Sequence, residues 1–197
     1  MRDYTNIDEY LDRLERDVYP QPEDGGHTAL ANEAISFFMQ DTNVEEVLDL
    51  GCGEGFCQPI FESFEKNYTG VCLQRDYYQA QGKGRNVFYY DFSFLPFEDS
   101  SYDFLFSRHS LEHSPFPLIT LMEWYRVSSK YLAIVLPAPE YWGKVGRNHY
   151  FVLEKDQWKA LFNTVGFEIV SERDKSMLMI PENGEQVIEY WFLLEKK

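Results

Sequence analysis

Val47-Leu48-Asp49-Leu50 is a short apolar run that ends in three glycines at alternate positions, within Gly51-Cys52-Gly53-Glu54-Gly55. A buried strand that stops at such a run turns sharply there and presents backbone amides to a ligand, which glycine allows at the lowest conformational cost. It reads as a nucleotide-cofactor loop, and the spacing narrows the ligand. A dinucleotide loop runs G-x-G-x-x-G, with its third glycine three positions past the second and packed under the next helix. Here that position is Phe56, and the third glycine comes early, at Gly55. No G-x-x-x-x-G-K-S/T phosphate loop is present either.

The 197 residues suit one domain of ordinary size. The expected organisation is a helical cap over 1–42 and a core over 43–197. Hydrophobic residues make up 44% and aromatics 17%, enough to build a packed interior. The net charge of −15, from 18 basic and 33 acidic residues, argues against a nucleic-acid partner, whose phosphates would need clustered cations. Cys52, Cys57 and Cys72 form neither a C-x-x-C pair nor a His/Cys cluster, so free thiols and no metal centre are expected. The N-terminus lacks a basic and apolar leader, and no apolar run approaches the ~18 residues of a membrane span. A cytoplasmic protein without a membrane partner is expected.

Periodicity divides the chain further. Thr5-Asn6-Ile7-Asp8 fits a capping box, followed by Ile7, Tyr10, Leu11, Leu14 and Val18 on one helical face. Pro20, Pro22, Gly25 and Gly26 interrupt it, and Thr28 is placed to cap a second helix carrying Leu30, Ala31, Ala34, Phe37 and Phe38. Strands are then expected at 44–50, 68–73, 87–91, 102–107 and 131–137, with helices near 56–65, 76–81 and 117–127. The last helix carries Leu118, Leu121, Met122 and Tyr125 at helical spacing, and a turn at 127–130 leads into the fifth strand. A helix over 155–165 presents Trp158, Leu161, Phe162 and Val165 and stops near Gly166. Apolar strands at 167–173 and 187–194 predict an antiparallel return.

The pattern Asp49-x-Gly51-x-Gly53-x-Gly55 at the end of a first strand resembles motif I of the class I S-adenosylmethionine-dependent methyltransferases. The block Asp91-Phe92-Ser93-Phe94-Leu95-Pro96-Phe97-Glu98-Asp99-Ser100-Ser101-Tyr102-Asp103 is similar to the D-x-x-x-L-P-F-x-D-x-S-F-D run of the methyltransferase type 11 group. Ser107 to His113 is similar to that group's S-x-x-x-L-E-H segment. The resemblance implies an α/β fold with a doubly wound, mostly parallel seven-stranded sheet, one antiparallel strand near the C-terminus, and S-adenosylmethionine as cofactor.

It also implies roles. The loop of Gly51, Cys52, Gly53 and Gly55 would face the methionyl carboxylate, and Asp49 would accept from the cofactor's ammonium or tie down the loop, or both. Cys72-Leu73-Gln74 occupies the place where relatives carry an acid for the ribose. A thiol is a poor acceptor for two hydroxyls, so Gln74 or Asp76 is expected to take them. Asp91 would accept from the adenine amino group and Phe92 would donate its backbone amide to the ring. Ser107 and Arg108 would lie beneath the sulfonium.

Methyl transfer from a sulfonium is an in-line displacement that needs positioning above all, with a base if the acceptor is a hydroxyl. His109 and His149 are the candidates for catalysis; His109 serves equally well as a structural residue near the cofactor. His113 is expected to pair with Glu112 or cap a helix. Pro137, Pro139, Tyr141 and Trp142 suggest a rigid apolar wall for a small-molecule acceptor. The departure at Cys72 leaves room for a second reading, a cofactor-binding regulatory protein without turnover.

Overall fold

The computed structural model describes residues 9, 25–40, 42–142, 149–176 and 187–197. Apart from Glu9, the expected first helix, near residues 5–18, lies outside these, as does the turn around Pro181, Asn183 and Gly184. Helix α1 covers Gly25–Met39, so it begins before Thr28 and takes in the glycine pair. The first turn of a helix owes no intrahelical bond from its amides, which is why glycines are tolerated there.

From residue 46 the chain alternates: β1 Glu46–Leu50, α2 Gln58–Ser63, β2 Asn67–Cys72, α3 Gln74–Gly82, β3 Val87–Tyr89 and β4 Tyr102–Arg108. A single 3-10 turn, Leu111–His113, precedes α4 Pro117–Val127, β5 Ser128–Pro137, α5 Pro139–Trp142, α6 Lys155–Val165, β6 Phe167–Ser176 and β7 Ile188–Lys196. The sheet has seven strands in the order β3-β2-β1-β4-β5-β7-β6. β7 runs antiparallel to both of its neighbours, and β1 to β5 are parallel. The carboxyl ends of β1 to β5 therefore share one rim, and the strand order reverses direction between β1 and β4, where ligands of open α/β sheets bind.

Strand alternation supplies two buried faces. Leu48, Leu50, Val71, Leu105, Leu132, Ile134, Phe192 and Leu194 pack with Leu121 and Trp124 of α4 and with Trp158 and Phe162 of α6. On the other side Val47, Tyr68, Phe104, Phe106, Val135, Trp191 and Leu193 pack with Ala34, Ile35 and Phe38 of α1 and Phe61 of α2. Each fully buried large apolar side chain stabilises the fold by roughly 1.5–3 kcal/mol.

Two local expectations change. No separate turn lies between α4 and β5, because Ser128 is already extended (φ −70°, ψ 134°) as the helix ends and begins the strand. On α4 the helical period is right but the buried stripe is Thr120, Leu121, Trp124 and Val127, while Leu118 and Met122 face outward. Trp124 decides this rotation: its ring fills the core and its Nε1 donates to the Phe92 carbonyl at 2.9 Å. On α6 a capping box of Glu154 and Gln157 starts the helix and Gly166, at φ 113°, stops it.

Candidate active site

The glycine loop is clamped on three sides. The amides of Gly51 and Cys52 both donate to the Val71 carbonyl at 3.0 Å, and that of Gly55 to the Cys52 carbonyl. All three glycines have positive φ, 77° at Gly51, 53° at Gly53 and 75° at Gly55. At Gly51 a Cβ would stand 2.3 Å from Ser110 Oγ and 3.6 Å from the Phe92 ring, so the segments after β3 and β4 close on the end of β1. At Gly55 it would meet the Val87 side chain at 2.9 Å. At Gly53 the nearest atom is Asp76 Oδ2, 4.0 Å away, so the loop is open there. Among the described residues, the Gly53 and Glu54 amides donate to no backbone carbonyl. An open glycine flanked by unclaimed amides at a strand end fits a carboxylate-bearing cofactor.

Asp49 lies under this loop. Its carboxylate is buried and accepts from the Tyr68 hydroxyl at 2.9 Å. Burial pushes its pKa up to about 7, against hydrogen bonds from Tyr68 and Cys57 that pull it down. Gly70 makes the arrangement possible, because a Cβ there would sit 2.6 Å from Cys52 Sγ and 2.8 Å from the Tyr68 hydroxyl. Cys72 is buried on the same face, in the cluster that holds Cys52. Leu73 precedes α3 in extended conformation, and Asp76 lies in the first turn of that helix. The side chain of Gln74 lies outside the described part of the structure.

The third strand stops at Tyr89, so Asp91 lies beyond it, in a turn where its Oδ1 accepts from the Ser93 amide at 2.7 Å. The Leu-Pro-Phe block that follows is fastened to α4. Glu123 accepts from the Leu95 amide, and Arg126 donates to the carbonyls of Leu95 and Phe97 and to Asp99.

A buried charged cluster lies past the end of β4. Glu189, near the start of β7, accepts from Arg108 Nη2 at 2.5 Å, His109 Nε2 at 2.8 Å and Trp191 Nε1 at 3.0 Å. Burial pushes its pKa up, but the bonds and charges of His109, Arg108 and Trp191 prevail and hold it at about 2. His109 adopts φ 50°, in the left-handed region, and its Nδ1 lies 3.7 Å from Glu112 Oε1. Burial pushes the Glu112 carboxyl up to about 8, with its own amide and the Arg108 charge opposing and the Glu189 charge adding. Ser107 Oγ is buried with no hydrogen-bond partner among the described residues. His113 and His149 stack edge to face with ring centroids 4.8 Å apart.

Residues 48–131 match the family model described as "Methyltransferase domain". Over this stretch, from β1 to the start of β5, the chain is similar to that family. Solved structures share its fold. An S-adenosylmethionine-dependent methyltransferase from Methanosarcina mazei superposes with TM-score 0.69 at 19% identity, covering 81% of this chain and 96% of that one. A complex of the Trm112 methyltransferase activator of Haloferax volcanii with a provisionally assigned methyltransferase gives 0.73 at 16% identity, covering 95% and 96%. The cyclase SpnF gives 0.71 at 16% identity, covering 98% and 93%. No curated protein matches the chain by sequence. Among the described residues no helix is long and apolar enough to cross a membrane.

In this fold the strand ends bring together the glycine loop, Asp49, Cys72, Asp91, Phe92, Ser107, Arg108 and His109. His149 arrives from a separate segment and is joined to the rim by backbone bonds from Tyr150 and Phe151 to the Glu112 carbonyl. Sequence reasoning passed over Glu189. Its signal was a single acid inside the apolar run Val187-Ile188-Glu189-Tyr190-Trp191-Phe192, where a charge needs a buried partner. The wall expected from Tyr141 and Trp142 rests on side chains outside the described part of the structure; their backbone forms α5.

Proposed function

We propose that this protein is a class I methyltransferase that passes the methyl group of S-adenosylmethionine to a small-molecule acceptor by in-line displacement. The cofactor supplies an electrophilic methyl on a sulfonium and departs as a neutral thioether, so the protein's task is to position the acceptor and exclude water. The observation that carries this reading is the convergence on Gly51 of Ser110 and Phe92, which joins three strand ends into one cradle left open at Gly53.

In this reading the Gly53 and Glu54 amides hold the methionyl carboxylate and Asp49 faces its ammonium through the loop. Asp76, whose carboxylate lies beside Gly53, takes the ribose hydroxyls in place of an acid at Cys72. Asp91 and the Phe92 amide hold the adenine. His109 positions the site instead of acting as a base, since both of its ring nitrogens face carboxylates, Glu189 and Glu112. Titration calorimetry with S-adenosylmethionine and S-adenosylhomocysteine tests the cradle. Heat and a thermal shift are expected with both, and their absence with both refutes the cradle. Transfer of a labelled methyl group to a metabolite extract, followed by mass spectrometry of the product, tests the acceptor class; label found only in protein or nucleic acid refutes it.

The second reading is a cofactor-binding protein without turnover. The similarity to SpnF, named as a cyclase, favours keeping it, because the same fold carries another activity there. Cofactor binding without any methylated product across the extract would select it.

A further inference from the structure

Glu112, His113 and His149 place one carboxylate oxygen and two imidazole nitrogens within 4.8 Å of one another. We propose that these three residues bind one divalent transition-metal ion at the strand-end rim. The inference is independent of the methyl-transfer reading, since it concerns residues that the cofactor cradle does not use.

Three observations carry it. The donor set is the first: two imidazoles and a carboxylate suit zinc and its first-row neighbours, whereas magnesium and calcium prefer oxygen throughout. A tetrahedral ion with bonds of about 2.1 Å spaces its donors about 3.4 Å apart, so closing the present triangle asks each side chain to move inward by less than about an ångström. Backbone constraint is the second. The Glu112 carbonyl accepts from the amides of Tyr150 at 2.9 Å and Phe151 at 3.2 Å, which fixes the segment beginning at His149 against the 3-10 turn that carries the other two ligands. That turn is closed in its own right by the His113 amide donating to the Ser110 carbonyl at 3.0 Å.

The third observation is the state of Glu112. Its side chain is fully buried; His109 Nδ1 stands 3.7 Å from Oε1, beyond hydrogen-bond distance, and among the described residues no other residue gives either carboxylate oxygen a hydrogen bond. Buried carboxylates are normally paired, hydrogen-bonded or bound to metal, because solvation is otherwise lost without return. A cation between Glu112 and the two histidines supplies that partner. His113 and His149 are half-buried while Glu112 is enclosed, so the ion would be held from within and open outward. Its remaining positions would take water or the oxygen of a hydroxyl or carboxylate ligand. The site adjoins the cofactor loop, since Ser110, two residues before Glu112, donates from its Oγ to the Gly51 carbonyl at 3.3 Å.

The test uses the full chain without a histidine tag, stripped with a chelator and titrated with Zn²⁺ by calorimetry and with Co²⁺ by visible absorption. One ion per chain is expected, with cobalt d–d bands. His113→Ala, His149→Ala and Glu112→Gln should each weaken binding by at least about tenfold, and His27→Ala should bind as the unaltered chain does. Circular dichroism confirms that each variant is folded; if an alanine variant is not, His113→Gln or His149→Gln replaces it. Absence of stoichiometric binding, or binding undiminished by these substitutions, overturns the site. Calorimetry with S-adenosylmethionine on the same stripped protein separates this outcome from failure of the cofactor cradle.

Discussion

Tyr68 reaches from β2 to donate a 2.9 Å hydrogen bond to Asp49 on β1, and both side chains are buried. The pair fixes the last residues of β1 just before the chain turns at Gly51. Tyr68→Phe keeps the ring and removes the donor, leaving a buried carboxyl short of a partner. A loss of about 1–3 kcal/mol is expected, read as a lower midpoint in urea denaturation.

Asp49 and Glu189 give stability opposite dependences on pH. Asp49 titrates at about 7 in the fold against 3.8 for a free side chain, so between those values the folded chain retains a proton that the unfolded chain has released. Raising the pH through this window therefore removes stability, up to about 4 kcal/mol. Asp49→Asn abolishes the effect, and its stability relative to the unaltered protein should rise from pH 4.5 to pH 8. Glu189, held at about 2 against 4.5, contributes fully above pH 4.5 and loses that contribution as the pH falls toward 2. Denaturant midpoints measured in pH steps check both, and a level difference for Asp49→Asn would contradict the first.

Gly51→Ala and Gly53→Ala separate packing from backbone strain. Both impose a left-handed conformation on alanine, at about 1–2 kcal/mol. Only at position 51 does the new methyl also collide with Ser110. Gly51→Ala should be the more destabilising and should abolish cofactor binding, whereas Gly53→Ala should remain folded and bind more weakly. Thermal melts and calorimetry distinguish them.

Removal of Glu189 strands the Arg108 guanidinium and takes a hydrogen-bond partner from His109. Glu189→Met should cost about 3–5 kcal/mol because Arg108 keeps its charge in a buried site. Adding Arg108→Met should restore part of that loss. A double-mutant cycle in guanidinium measures the coupling, and additive single effects would count against a shared cluster.

Asp76→Asn tests the ribose contact. A loss of about tenfold in affinity for S-adenosylhomocysteine is expected, about the worth of one hydrogen bond to a charged group, while Cys72→Ser should bind nearly as well as the unaltered chain. The reverse pattern would move the contact back to the strand end.

The sheet was legible because β1, β5 and β7 carry apolar runs and the glycine loop has a distinctive spacing. α6 could be placed to the residue, and β1 to its last residue with its start two residues early. Rotation of α4 was not legible, since Leu118 and Trp124 both fit a helical stripe and the Phe92 carbonyl that accepts from Trp124 is distant in sequence. The charged cluster was half visible: His109 stood out beside the fourth strand, but its partner Glu189 lies on the last strand. The His113 and His149 contact escaped for the same reason, because the backbone bonds from Tyr150 and Phe151 to the Glu112 carbonyl join segments far apart in sequence.

β7 lies between β5 and β6, yet among the described strands it is the last to leave the ribosome. Until it docks, a nascent chain carries β5 with an unsatisfied border and Arg108 with its counter-ion still unmade. Maturation of the site and protection of that border are therefore one event, and interrupted synthesis before residue 188 would yield a product prone to recruit foreign strands.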